Sequence, residues 1–419
     1  MQGKQLRRLW LTEPTPGWHP LLWLALVGLF MPLMLGCSLA PAASDVEGDS
    51  ATLVRILRAD PQLAPYLEAA DRYRMQVLYT QIDRVAGQPR LTTHSLRQDA
   101  DFYYPASLVK LPVAIFALER LKALGLNRTD RFEISPANAC SRYPPQACQT
   151  VQACIEQMFV FSNNTAYNRL FEFLGRDAIN ARLHALGYPG AIQGRFKSGC
   201  SGESGRTTGA IRFYDATGAL RYQQPPQRSR SADPPSRDDR RVGRQTRTAL
   251  GLMDEPMDFS AKSYLPLGAL HRMLIALVLP ETLPKSQRFD LNASERAFLL
   301  NTMALRPRDV GGPQADSFRK YLLIGGDARM PESVEIINKV GLSYGFVSDV
   351  AYITAAVPDC AAEVAFFLSA TLYVNRNQVM NDAQYEYDTQ GYPFMKALGQ
   401  AIYRHELARQ GAQCPTTGH

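Results

Sequence analysis

Two periodicities divide the chain. Residues 73–83 carry Met75, Val77 and Tyr79 at every second position, which predicts a half-buried strand. Residues 90–96 read as a second strand, and Val85-Ala86-Gly87-Gln88-Pro89 between them is of hairpin length. Three more strand-like runs cover residues 333–341, 347–357 and 362–374. Helical spacing holds over 52–72, interrupted near Pro61, and over 107–123, where almost every position is apolar before Gly125 stops the pattern. It also marks a helical middle section, 136–186, and the runs 265–279, 293–305 and 393–409. Residues 210–222 read as strand, turn and strand, and 223–247, rich in Pro, Ser, Arg and Asp, as a mobile loop. The order predicts an α+β chain. An antiparallel sheet of about five strands is assembled from both ends, flanked by terminal helices, with a helical lobe inserted.

The N-terminus changes the picture of where this domain works. Lys4, Arg7 and Arg8 precede an apolar stretch, 21–35, that is short for a membrane span. Leu33-Met34-Leu35-Gly36-Cys37 resembles a bacterial lipoprotein lipobox, which implies cleavage after residue 36 and lipidation of Cys37. Residues 1–36 are then a signal peptide, 37–51 a polar tether and 52–419 the working domain. The expected location is the cell envelope, facing the periplasm. An uncleaved anchor or a plain secretory signal are the other readings, and both also export the domain. Six cysteines remain after Cys37, an even number that fits disulfides in an oxidising compartment. Proximity suggests Cys140 with Cys148, and tethering of the terminus suggests Cys360 with Cys414.

The net charge of +7 resides mostly in two places. The leader holds +2 and residues 222–248 hold +4, leaving about +1 for the rest, so no nucleic-acid surface is implied. A flexible, solvated linker accounts for the arginines better than a site for an anionic polymer.

Candidate chemistry centres on Tyr104-Pro105-Ala106-Ser107-Leu108-Val109-Lys110. The proline turn runs into an apolar helix, so Ser107 and Lys110, three residues apart, share one buried face. Burial lowers a lysine pKa, and the neutral amine can take a serine proton. The helix start also offers backbone N–H groups to an oxyanion. A second S-x-x-K, Ser317-Phe318-Arg319-Lys320, has neither the proline turn nor the apolar context. Further along come Ser162-Asn163-Asn164, between two helices, and Lys339-Val340-Gly341, closing a strand, whose glycine permits close approach by a ligand. Each motif also has a purely structural reading, as a helix cap or a strand exit. The histidines sit in no triad context, and there is no metal-ligand spacing and no sign of a cofactor.

Together, S-x-x-K, S-N-N and K-V-G, in that order, resemble the class A β-lactamase-related serine hydrolases, relatives of the D-alanyl-D-alanine peptidases of cell-wall metabolism. Thr165-Ala166 and Ser348-Asp349-Val350-Ala351 extend the likeness. It runs over 52–409, with 205–260 as an insertion, and implies the β-lactamase/transpeptidase-like fold. It also implies Ser107 as the acylated nucleophile, Lys110 as its base, Ser162 as proton relay, and Lys339 as the cation for a substrate carboxylate. Asn164 would hold the substrate amide, and the N–H groups of Ser107 and Leu342, beyond Gly341, would form the oxyanion hole. Ser343 stands ready to replace the hydroxyl that Val340 lacks. The family's Glu-x-x-x-Asn loop, whose glutamate activates the deacylating water, has no counterpart here. Glu203 and Glu255 are the nearest carboxylates and read as surface groups. The implied activity is β-lactam hydrolysis. The alternatives are a peptidase or esterase acting on cell-wall peptides, or a non-catalytic envelope scaffold. The expected partners are a small-molecule or peptide substrate and, through Cys37, a membrane.

Overall fold

The computed structural model describes residues 50–197, 199–200, 202–326, 329–356 and 363–411. The leader, Cys37, Cys360 and Cys414 lie outside these residues. Two short helices, α1 (Ala51–Ala59) and α2 (Ala64–Glu68), open the chain on either side of Pro61. Strands β1 (Gln76–Val85) and β2 (Gln88–Leu96) follow. The turn between them is tighter than the sequence suggests. Only Ala86 (φ 49°) and Gly87 (φ 78°) form it, both left-handed as a two-residue hairpin requires. Pro89 therefore lies within β2, tolerated because β2 is an edge strand.

Helix α3 (Lys110–Leu124) stops at Gly125 (φ 65°), whose N–H donates to Lys122. Strand β3 (Arg131–Ser135) comes next, then α4 (Val151–Val160), α5 (Asn164–Leu174), α6 (Arg176–Ala185) and the short α7 (Gly202–Arg206). The helical character expected over 136–186 begins late: Pro136, Pro144 and Pro145 lack N–H donors, only a 3-10 turn (Ala139–Ser141) forms among them, and α4 starts where the Thr150 hydroxyl caps Ala153 N–H. The inserted hairpin is present as β4 (Ala210–Tyr214) and β5 (Leu220–Gln224), with β3 pairing alongside β4.

Residues 223–247 are not the loose loop that their composition predicts. Asp177, at the start of α6, takes hydrogen bonds from Ser229 Oγ, Arg230 N–H and Ser231 Oγ, while Arg176 pairs with Asp233. Short strands β6 (Arg241–Val242), β7 (Gln245–Thr248), β8 (Gly251–Met253) and β9 (Met257–Asp258) complete the insertion. The segment is polar because its partners are polar.

The remainder comprises α8 (Leu267–Val278), α9 (Ala293–Ala304), β10 (Val334–Ser343), β11 (Phe346–Ala356), β12 (Glu363–Tyr373), β13 (Val379–Met380) and α10 (Tyr392–Gly411). The main sheet has the order β10-β11-β12-β1-β2, antiparallel throughout, so both ends of the chain build it as predicted. Alternation along β1 sends Val77 and Tyr79 to a core shared with α1 and α10. Leu78 and Ile82 go to a larger core shared with α3, α8 and the helical lobe. Among the described residues, no helix is long and apolar enough to cross a membrane.

The cysteines pair as Cys140–Cys200 and Cys148–Cys154, which corrects the Cys140–Cys148 expectation. Cys148 and Cys154 are both buried beside the start of α4, while Cys200 lies just before the insertion, in a segment that returns to the 139–141 turn.

Candidate active site

Pro105 is helical at φ −70°, and Ala106 then turns left-handed at φ 45° before a short 3-10 turn, Ala106–Val109, delivers Ser107 and runs into α3. A left-handed alanine costs about 1 kcal/mol. Ser162, between α4 and α5, is also left-handed at φ 54°. The two serines thus meet on strained backbone that the surrounding packing holds in place.

Lys110, the first residue of α3, is fully buried. Its Nζ lies 2.6 Å from Ser107 Oγ, 2.8 Å from Asn164 Oδ1, 3.0 Å from the Ser162 carbonyl and 3.5 Å from Ser162 Oγ. The Phe196 ring lies over it at 4.8 Å. Burial holds the Lys110 pKa well below its ordinary 10.5, helped by Arg319 and Lys197. A neutral amine at 2.6 Å accepts the Ser107 proton rather than competing for it.

Lys339, on β10, donates to Ser162 Oγ at 3.0 Å and to the Val340 carbonyl at 2.9 Å. Burial, then Lys110 and Arg319, push its pKa well down too. Ser162 Oγ therefore bridges the two lysines. Gly341 performs a different task from the one read in the sequence. A Cβ there would stand 2.4 Å from the Pro105 carbonyl oxygen and 3.1 Å from Leu108 Cγ, so the glycine admits the chain's own Ser107 turn rather than a ligand. Leu342 and Ser343 line the cleft just beyond it.

Arg319 was missed by sequence reading because it stands inside the S-x-x-K that looked accidental. In that segment Lys320 turns inward, donating to the carbonyls of Met303 and Ile336 and to Asn338 Oδ1, and is structural. Arg319 lines the cleft instead, donating to the Phe161 carbonyl next to Ser162. It has no carboxylate partner among the described residues, and its Nε is buried without an acceptor. Asp349 fixes this segment by accepting the N–H groups of Tyr321 and Leu322 and the Asn338 amide.

The cleft has a volume of about 600 Å³ and opens beside Ser107, Ser162 and Asn164. Its roof comes from the segment just before the insertion. Phe196 is clamped by Asn168, whose amide accepts from Phe196 N–H at 2.7 Å and donates to its carbonyl at 2.9 Å. Arg195 is paired with the buried Glu172. Asp233 and Asp258 are the carboxylates among the described lining side chains, and both are engaged. Asp233 meets Arg176 and Arg206, while Asp258 accepts from Ser236 Oγ and Ser260 N–H. Glu255 is exposed and does not line the cleft, and the side chain of Glu203 lies outside the described set. Gln193 also lines the cleft, with its N–H on Ser263 Oγ at 3.0 Å and its buried Oε1 without a donor among the described residues.

Residues 63–215 match the model of the beta-lactamase enzyme family. Over that segment the chain is similar to the beta-lactamase enzyme family. The matched segment takes in Ser107, Lys110, Ser162 and Asn164, and Lys339 reaches the same point from β10. No curated protein matches the chain in sequence. Among solved structures, the beta-lactamase from Desulfarculus baarsii DSM 2075 is similar, with 18% identity, a TM-score of 0.46 and coverage of 85% of this chain and 99% of that one. A second, from Sphaerobacter thermophilus DSM 20745, has 17% identity, a TM-score of 0.46 and coverage of 82% and 96%. A third, from Xanthomonas campestris pv. campestris, has 17% identity, a TM-score of 0.44 and coverage of 84% and 95%. Of the three motifs, Lys339-Val340-Gly341 stands on the five-stranded sheet, while Ser107 and Lys110 stand at the start of α3 and Ser162-Asn163-Asn164 between α4 and α5.

Proposed function

We propose that this protein is a serine hydrolase that forms an acyl-enzyme at Ser107 with β-lactam amides. The observation that carries the reading is the 2.6 Å contact between Ser107 Oγ and a buried Lys110 amine. Lys110 Nζ takes the hydroxyl proton as Ser107 Oγ bonds to the amide carbon. The C–N bond then breaks, and Ser162, hydrogen-bonded to Lys339, passes a proton to the leaving nitrogen. The N–H groups of Ser107 and Leu342 hold the oxyanion, and a missing donor of this kind costs about 2.7–4 kcal/mol of transition-state stabilisation. Asn164 orients the substrate amide. Arg319 and Lys339 receive its carboxylate, with Ser343 adding a hydroxyl where Val340 has none.

A second reading, peptide or ester acyl transfer on cell-wall substrates, is favoured by one observation. No described carboxylate of the cleft is free to activate water. Intact-protein mass spectrometry after incubation with a penicillin, beside Ser107→Ala, tests both. An adduct that persists on the parent protein alone supports acylation with slow hydrolysis, and consumed drug without adduct supports β-lactamase turnover. No adduct with intact drug refutes the β-lactam reading. We also propose that the domain is tethered in the cell envelope by a lipid on Cys37. Failure of Cys37→Ala to change the mass or membrane fractionation of the exported protein refutes this anchor.

A further inference from the structure

Lys262 and Arg319 line the same cleft as Ser107. Arg319 is held on the Ser162 side by its hydrogen bond to the Phe161 carbonyl, whereas Lys262 lies over the Tyr344 ring. Lys262 is carried by a firmly held loop. Its N–H donates to the Phe259 carbonyl at 2.9 Å, Ser260 N–H is taken by Asp258, Ser263 Oγ holds Gln193 N–H, and Tyr264 N–H donates to the Ala191 carbonyl. Its Nζ lies 5.3 Å from the centre of the Tyr344 ring, which packs 5.6 Å from Tyr104, two residues before Ala106. The Lys262 ammonium has no hydrogen-bond or carboxylate partner among the described residues, and partial burial lowers its pKa. A partly buried cation over an aromatic ring, without an ionic partner among the described residues, is positioned to receive a bound anion. Asp258 lines the same cleft but is already held by Ser236 and Ser260.

Taking Ser107 as the acylated residue, we propose that Lys262, Tyr344 and Tyr104 form a subsite for an anionic group on the acyl part of the substrate. Preferred acyl donors then carry two negative charges, one near Arg319 and Lys339 and one at Lys262. A short acidic peptide, or a β-lactam with a carboxylate on its side chain, has this pattern.

The test compares benzylpenicillin with its α-carboxy derivative, which differs by a second carboxylate on the acyl side chain. Second-order acylation rates are measured on the parent protein, Lys262→Met and Lys262→Gln. The expected result is a preference for the dianion that falls about tenfold or more in both variants and weakens with added salt. Calorimetric titration of the same two compounds into Ser107→Ala, with and without Lys262→Met, reads the subsite independently of acylation. A preference that is absent, or unchanged by both substitutions, overturns the proposal. A Lys262-dependent preference in binding without any adduct on the parent overturns Ser107 acylation and leaves the subsite standing.

Discussion

Gly341→Ala is the most direct test of how β10 and the Ser107 turn fit together. The added Cβ would meet the Pro105 carbonyl oxygen at 2.4 Å, whereas ordinary contact begins at 3.4 Å, so the carbonyl must withdraw by about 1 Å. It cannot withdraw alone, because it accepts Leu108 N–H at 2.9 Å across the turn that carries Ser107. The serine therefore shifts away from Leu342 and from the lysine pair as a unit. A misplacement of about 1 Å costs roughly 100-fold in rate, and the overpacking costs about 1–3 kcal/mol of stability. Stopped-flow acylation with a fluorescent penicillin, well below the melting temperature, separates the two effects. Gly391→Ala is the control, since its Cβ would press on Val347 Cγ1 at 3.0 Å in the core under α10 and leave the turn alone. Acylation by folded Gly341→Ala within threefold of the parent rate would refute the reasoning.

Four other substitutions probe the remaining structure. Lys110→Met should slow acylation by about 10²–10⁴. In the parent protein the rate should fall as pH drops through the lowered Lys110 pKa, well below 10.5, and a limb at the ordinary lysine value would contradict a buried base. Removing Cys140–Cys200, which spans 60 residues, should cost about 4 kcal/mol, against about 2 kcal/mol for Cys148–Cys154, which spans six; equal losses in melting experiments would refute the loop-entropy account. Burial raises Asp349 to about 6 from its ordinary 3.8, so between these values the folded state holds a proton that the unfolded chain releases. Parent stability relative to Asp349→Asn should therefore rise as pH falls from 6 to 4, by about 1.4 kcal/mol per pH unit, and a flat difference in urea midpoints argues against it.

The main sheet was legible because Met75, Val77 and Tyr79 fall at every second position leading into β1 and the later strands are short apolar runs, and the Ser107 helix because Pro105 and Gly125 punctuate an apolar run. Ser107, Lys110, Ser162, Asn164 and Lys339 were legible because local motifs carry them. What escaped was everything set by partners distant in sequence. The fastening of residues 223–247 depends on Asp177 and Arg176, and nothing in the loop's own composition announces them. Cys140 pairs across 60 residues rather than eight because the segment carrying Cys200, just before the insertion, returns to the 139–141 turn. Arg319 was hidden because, of two adjacent cations, one turns into the core and the other into the cleft. Only the tertiary positions of Asn338 and Asp349 decide which.

Gln193 offers the sharpest test of why the acyl-enzyme should last. It lines the cleft, its backbone is pinned by Ser263, and its Oε1 is buried without a donor among the described residues. An amide cannot take a proton from water, and the two described carboxylates of the cleft are committed to other partners. Gln193→Glu changes one atom of the lining and introduces a base at the same place, in a cleft whose cations favour its ionised form. If slow deacylation comes from a missing base, this variant should shorten the penicillin adduct's lifetime by a factor of 10² or more, read by intact mass against time. If the lifetime stays the same while acylation is unaffected, the barrier lies in access of water under the Phe196 roof. Loosening that roof with Asn168→Ala, which removes both hydrogen bonds to Phe196, should then shorten it instead.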